Sequence, residues 1–138
     1  MKKNFVVMIL CAFLLAACAS EQSANPIIGT WLLVSYGPAS EQSPVLPDLN
    51  RSLIIDAEGK INGNVGCNSF VGSYSIDESK ISFEPEVSTQ LACVPEIIMK
   101  QEEFTLLVLN NTPEFKIEGR FLTLWTDDGM LVFESDGN

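Results

Sequence analysis

A β-rich α+β fold is what the sequence predicts, an antiparallel sheet accompanied by one helix. Three observations carry it. Short runs that are apolar or alternate apolar with polar recur from Ile27 to Asn138, the period-2 pattern of half-buried strands. Turn residues separate the runs: Asp56-Ala57-Glu58-Gly59, Asp77-Glu78-Ser79, Glu118-Gly119 and Asp127-Asp128-Gly129. One stretch after Pro95 breaks the alternation and reads as helix.

Strands are expected at 31–36, 52–56, 60–64, 70–76, 80–83, 115–117, 121–126 and 130–134. Glycine after an acidic residue supplies the positive φ that tight hairpins need, so three consecutive hairpins are implied. Residues 37–49, with Pro44 and Pro47, have no period and read as a long surface connection. That connection is a candidate binding loop or a tolerated insertion. Pro95 followed by Glu96 favours a first helical turn, and Asn110-Asn111 with Pro113 a stop, giving a helix to about Leu109. Ile97, Phe104 and Val108 fall on one face, with Gln101 in its middle, so Gln101 should find a hydrogen-bond partner or lie at the edge. Leu106 to Leu109 are apolar all round, which means burial on two sides or a strand. Trp31, Phe70, Tyr74, Phe83, Phe104, Phe115, Phe121, Trp125 and Phe133 are spread one or two per element. Such spacing suits a shared barrel or sandwich core, or an apolar ligand cavity.

The chain opens differently. Met1-Lys2-Lys3-Asn4 is cationic, and the apolar run from Phe5 to Leu15 is shorter than the roughly 20 residues that span a bilayer. This is a secretory signal pattern. Leu15-Ala16-Ala17-Cys18 resembles the lipobox of bacterial lipoproteins, where the cysteine thiol is alkylated by a diacylglyceryl group and becomes the new N-terminus. Residues 1–17 are then a lipoprotein signal peptide and Cys18 the lipidation site. Two or three acyl chains make such an anchor durable where one would not. Cys11 leaves with the leader, as do Lys2 and Lys3. Residues 18–26, small and polar, form a flexible tether able to reach roughly 25–30 Å, and 27–138 form the folded domain. The expected address is the bacterial cell envelope, outside the cytoplasm. With Ala19 next to the lipidated cysteine, that means the outer membrane if the cell has two.

Composition excludes several activities. The chain carries 18 Asp+Glu against 8 Lys+Arg, a net charge of −10, so no nucleic acid partner is expected. It has no histidine, which removes the commonest general base and metal ligand. Cys67 and Cys93, an even pair in an exported chain, are most simply a disulfide. They lack the CxxC spacing or flanking cation of a redox or metal pair. Gly63-Asn64-Val65-Gly66-Cys67-Asn68 has no Lys-Ser/Thr after it, so its glycines are expected to allow a bulge or tight backbone approach beside the disulfide rather than to cradle phosphate. Glu84/Glu86, Glu102/Glu103 and Asp127/Asp128 could be proposed as acid and base pairs, but a solvated acidic surface accounts for them. No catalytic residue, cofactor or metal ligand is expected.

With these residues in hand, the domain resembles the META or HslJ-like family of small bacterial envelope domains. The resemblance rests on Gly29-Thr30-Trp31-Leu32-Leu33, Gly63-Asn64-Val65-Gly66-Cys67-Asn68-Ser69-Phe70 with Gly72 and Tyr74, Thr89-Gln90-Leu91-Ala92-Cys93, Met99-Lys100-Gln101-Glu102 with Phe104, Leu122-Thr123-Leu124 and Leu131-Val132-Phe133. The Gly-Cys-Asn and Ala-Cys segments are its specific part. It implies an antiparallel, barrel-like sheet with one helix, and a family linked to heat shock or envelope stress. Val94 separates Cys93 from Pro95, one position later than the usual Ala-Cys-Pro step.

Three functions follow as expectations. The first is a non-enzymatic, membrane-anchored binding or envelope-maintenance protein with an envelope partner. The second is a carrier of a lipid or other apolar ligand between sheet and helix. The third is an inhibitor of a cationic enzyme such as a lysozyme, steered by the acidic charge.

Overall fold

The computed structural model describes residues 25–46, 49 and 51–137. The leader, Cys18 and most of the tether therefore lie outside the described residues. Nine strands and one helix are described: β1 (Gly29–Gly37), β2 (Ser43–Pro44), β3 (Ser52–Ile55), β4 (Lys60–Asn64), β5 (Ser69–Asp77), β6 (Lys80–Ser88), α1 (Glu96–Asn110), β7 (Glu114–Glu118), β8 (Phe121–Thr126) and β9 (Gly129–Ser135). Every strand pairing is antiparallel. The order β1-β3-β4-β5-β6-β7-β8-β9 closes on itself through β1–β9, with Leu33 opposite Phe133 and Tyr36 opposite Leu131. The result is an eight-stranded antiparallel barrel carrying one helix: the residue pattern predicts the strands and the helix, and the family resemblance implies the barrel.

Alternation decides which residues fill it. Trp31 and Leu33, Leu53 and Ile55, Ile81 and Phe83, Leu122 and Leu124, and Leu131 and Phe133 point inward and are buried. Their intervening neighbours are more exposed, as a period of two requires. Trp31 also donates its indole N–H to the Ile27 carbonyl at 2.8 Å, so its one polar atom is satisfied inside the core. The hairpins fall where acidic and glycine residues were expected. Asp56 Oδ1 accepts from the backbone N–H groups of Glu58 and Lys60 at 2.9 and 2.7 Å, and Gly59 takes φ +81°, a conformation a Cβ disfavours.

Two boundaries and the buried face of the helix differ from the sequence reading. β6 runs to Ser88 instead of stopping near Phe83, because it keeps pairing with β5 across an irregularity beside Gly72 after its burial alternation has ended. Within 37–49, Ser43–Pro44 pairs with Ser35 and Tyr36 as β2. Gln42 donates to the Gly37 carbonyl at 2.7 Å and accepts from the Ser35 hydroxyl at 3.0 Å, and Val45 is buried. Residues 42–45 are thus stitched to the barrel and not a bare loop, while Pro47 lies outside the described residues. The helix has the expected span, but its inner face is Ile98, Gln101, Glu102, Thr105, Val108 and Leu109, while Ile97 is 41% exposed. Leu106, Val108 and Leu109 pack on the core and Leu107 is exposed, so the apolar tail of the helix is buried on more than one side.

The helix has a definite place because the barrel wall splays. β6 and β7 pair only at Lys80 and Glu114, which leaves the upper part of β6 without a strand on that side. α1 packs against β6, β1, β8 and β9, and Phe104 stacks at a tilt on Tyr36 with ring centroids 5.9 Å apart. It thereby covers the barrel end that carries the β4–β5 and β8–β9 connections. Ile27 and Ser135 lie at the other end, where Ser135 is opposite Trp31 and the Asp136 N–H reaches the Thr30 carbonyl at 3.0 Å.

Tyr74, on β5, donates its hydroxyl to the Asp56 carbonyl at 2.7 Å. Burial, with the carboxylates of Asp56 and Glu58 adding to it, raises this phenol above its ordinary value of 10.0. A group whose folded pKa is raised contributes stability fully below the unfolded pKa and loses it as pH climbs through the folded one. Unfolding free energy should therefore decline with alkalinity above about pH 10, and Tyr74→Phe should flatten that part of the curve in denaturant titrations run at stepwise pH.

Candidate functional site

The polar groups buried in this barrel gather at the end covered by α1. The β4–β5 connection brings Val65, Gly66, Cys67 and Asn68 under the helix, and the segment from Thr89 to Cys93 crosses beside them. The Cys67–Cys93 disulfide joins the two, with Cα atoms 5.9 Å apart. The expected pairing of the two domain thiols is what the structure contains.

Glu102 is the centre of the cluster. It is 6% exposed and its carboxylate accepts from the Cys67 N–H at 2.7 Å, from the Asn68 N–H, and from Asn68 Nδ2 at 2.7 Å. Asn68 passes the network on. Its Oδ1 accepts from the Thr89 hydroxyl at 2.8 Å and the Leu91 N–H at 2.7 Å, and the Thr89 hydroxyl in turn accepts from the Ser69 N–H at 3.1 Å. A buried carboxylate is tolerable only when its lone pairs are used in this way. Gly66 makes the approach possible, since a Cβ there would stand 2.9 Å from Glu102 Cβ and 3.0 Å from the Ile98 carbonyl. The tight backbone approach expected of the glycine-rich segment is thus met at Gly66.

This corrects the reading of Glu102 as part of a solvated acidic surface. The other paired acids stay outside: Glu84, Glu86, Glu103, Asp127 and Asp128 are exposed, and Glu86 pairs with Lys60 at 2.9 Å. Helical geometry points Glu102 inward and Glu103 outward, so adjacent acids meet opposite environments. Gln101 is fully buried at the middle of the inner face. Its Nε2 donates to the Val65 carbonyl at 2.8 Å, while its Oε1 has no partner among the described residues. The expectation of a hydrogen-bond partner is met for one of its two polar atoms.

Chemically, the cluster holds things in place. The Glu102 oxygens are engaged by N–H donors, and the Thr105 hydroxyl donates to the Gln101 carbonyl at 2.8 Å. What the network fixes is a short apolar outcrop. Leu91 is 61% exposed and Val94 89%, with Ile97 beside them on the first helical turn. Next to it, between β6 and α1, a groove of about 170 Å³ is lined by Val65, Phe70, Pro85 and Leu106, with Asn68 and Glu102 at its polar side. Among the described residues, no group of three or more His, Cys, Asp or Glu could hold a metal ion, and no helix is long and apolar enough to cross a membrane. The sequence signal for the cluster lay in two motifs, Gly66-Cys67-Asn68 and Gln101-Glu102, whose meeting across the fold no local pattern announces.

Solved structures share this architecture. An NMR structure of a protein from Burkholderia xenovorans is 20% identical, with a TM-score of 0.63 over 80% of this chain and 83% of that one. The crystal structure of a DUF4847 family protein from Bacteroides vulgatus ATCC 8482 is 16% identical, with a TM-score of 0.59 over 80% and 94% of the two chains. At these identities the likeness is one of fold. A search of curated proteins found no match. The META domain family model matches residues 25–137, which takes in the barrel, the disulfide and the Glu102 cluster together, and the chain belongs to the META domain family.

Proposed function

We propose that this chain is a non-enzymatic binding protein of the bacterial envelope, anchored through lipid on Cys18, which meets a protein partner with the apolar outcrop of Leu91, Val94 and Ile97. The observation that carries this reading is the combination of exposure and fixation at that loop. Apolar side chains left in water gain nothing for the folded monomer. Here they ride on a segment tied down by a disulfide and the Asn68–Glu102 network. A contact surface already held in its bound shape loses less entropy on association, and a few anchoring side chains supply most of the affinity of such surfaces.

The position of the outcrop supports a protein partner over the anchoring bilayer. Residue 25 enters the fold at the barrel end opposite α1, so a tether attached there leaves the outcrop free to face away from its own membrane. Carriage of a lipid is less well supported. The groove between sheet and helix measures about 170 Å³, well under the roughly 300–1,000 Å³ of pockets that enclose small molecules.

The experiment is photo-crosslinking in the intact envelope from a probe at position 94, compared with Leu91→Asp/Val94→Asp in pull-downs of the lipidated protein. A discrete crosslinked partner that disappears from the pull-down with the double variant is expected. An identical partner set for both forms would refute the assignment of the surface. Turnover of a peptidoglycan, peptide or ester substrate by the purified chain, abolished by mutating a carboxylate pair, would refute the non-enzymatic reading.

A further inference from the structure

A second concavity lies away from the outcrop, on the outer wall where β6, β7 and β8 meet below the end of α1. It measures about 440 Å³, within the range of small-ligand sites. Antiparallel register places Lys80 opposite Glu114 and Glu114 opposite Trp125, so these three side chains form a row on one face. Asn111, the C-cap of α1, and Asp128, in the β8–β9 turn, close the space above it with a hydrogen bond of 2.7 Å. Asp127 lies beside them.

Two features of this place are not explained by folding. Trp125 sits on the outer face, between the inward Leu124 and the turn, and is half-buried. Its indole N–H has no partner among the described residues, in contrast to the buried Trp31. The side chains of Lys80, Glu114 and Asp127 likewise make no hydrogen bond or ion pair among the described residues. A tryptophan on a barrel wall, beside Lys80, Glu114 and Asp127 side chains that do not satisfy one another, is an amphipathic surface with both halves open.

We propose that this cleft binds a pyranose ring, with one apolar C–H face of the sugar against the Trp125 indole and its hydroxyls bridging Lys80 and Asp127. A pyranose presents what the cleft lacks: a flat weakly polar face for an aromatic ring, and a rim of hydroxyls that each donate and accept. Glu114 and Asp127 accept hydrogen bonds from sugar hydroxyls, while Lys80 and the indole N–H donate to hydroxyl or ring oxygens. Charge narrows the class. Glu114, Asp127 and Asp128 outnumber Lys80, and α1 has no basic residue in its last turn, so the negative end of its dipole is unopposed. The ligand is therefore a neutral sugar and not a uronate. Lys80 in the same row disfavours a simple cation.

The test is a titration of the full chain with cellotriose and chitotriose, following tryptophan fluorescence and NMR shifts of the indole N–H. A galacturonic acid trimer serves as the anionic arm and arginine amide as the cationic arm. Saturable binding of at least one neutral trimer is expected, weakened about tenfold or more in Trp125→Ala and also weakened in Asp127→Asn. The Asp127 variant alters an exposed turn and keeps the test open should the tryptophan variant fold poorly. The inference is overturned if neither neutral trimer saturates, if affinity is unchanged in both variants, or if the uronate or arginine amide binds more tightly than the neutral trimers.

Discussion

Replacing Glu102 by alanine is expected to destabilise the domain by about 3–5 kcal/mol. The carboxylate accepts from two backbone N–H groups and one side-chain amide in a place that is 6% exposed. Truncation leaves the Cys67 and Asn68 N–H groups with no acceptor and little access to water, and opens a cavity against Gly66. A small domain has roughly 5–15 kcal/mol of stability in all, so the loss takes a large share. Urea unfolding should show the midpoint falling with a nearly unchanged m value, and the melting temperature should drop by at least about 10 °C. Glu102→Gln separates charge from packing: it keeps the length but turns an NH₂ toward donors, so its cost should fall between wild type and alanine. If the alanine variant lies within about 1 kcal/mol of wild type, Glu102 does not hold the helix to the β4–β5 connection.

Removing the disulfide ranks second. The Cys67→Ala/Cys93→Ala variant is expected to lose roughly 3 kcal/mol, since a bridge between residues 26 positions apart restricts the unfolded chain on the loop-entropy model. The effect has a second part in the folded state, because the bridge joins the same two segments that Asn68 ties through Leu91 and Thr89. Amide hydrogen exchange of residues 89–94 should accelerate in the variant more than exchange in β8 and β9, whose ladders are remote from it. Combining the variant with Glu102→Ala should give a non-additive total, as two restraints on one connection share their effect. Equal stability of the oxidised and reduced chains in denaturant would contradict the loop-closure account.

Most of the strand positions are legible because alternation and turn chemistry are local. Trp31 and Leu33, or Leu131 and Phe133, announce a buried face within three residues, and Gly59 and Gly119 mark turns by a conformation that needs no knowledge of the rest of the chain. β6 outruns its hydrophobic signal because its last residues, Glu84 to Ser88, pair with β5 while both their faces stay exposed. β2 is two residues long and exists only because β1 offers it an edge. The helix lies where the sequence puts it, but its buried face is turned by about one residue from the apolar one. Counting apolar side chains alone favours Ile97, whereas the buried face includes Gln101, Glu102 and Thr105, polar residues whose burial depends on partners elsewhere.

The sequence by itself determined the class of fold, the positions of the hairpins and the two thiols available for bonding, since each is written in residues a few positions apart. It also supplied the acidic charge, which needs no structure. Only the tertiary structure decided which acid is structural and which aromatic is free. Glu102 and Asn68 are 34 residues apart, and Lys80, Glu114 and Trp125 come from three strands. A burial or a row assembled across such distances is created by chain closure, and no local pattern contains it.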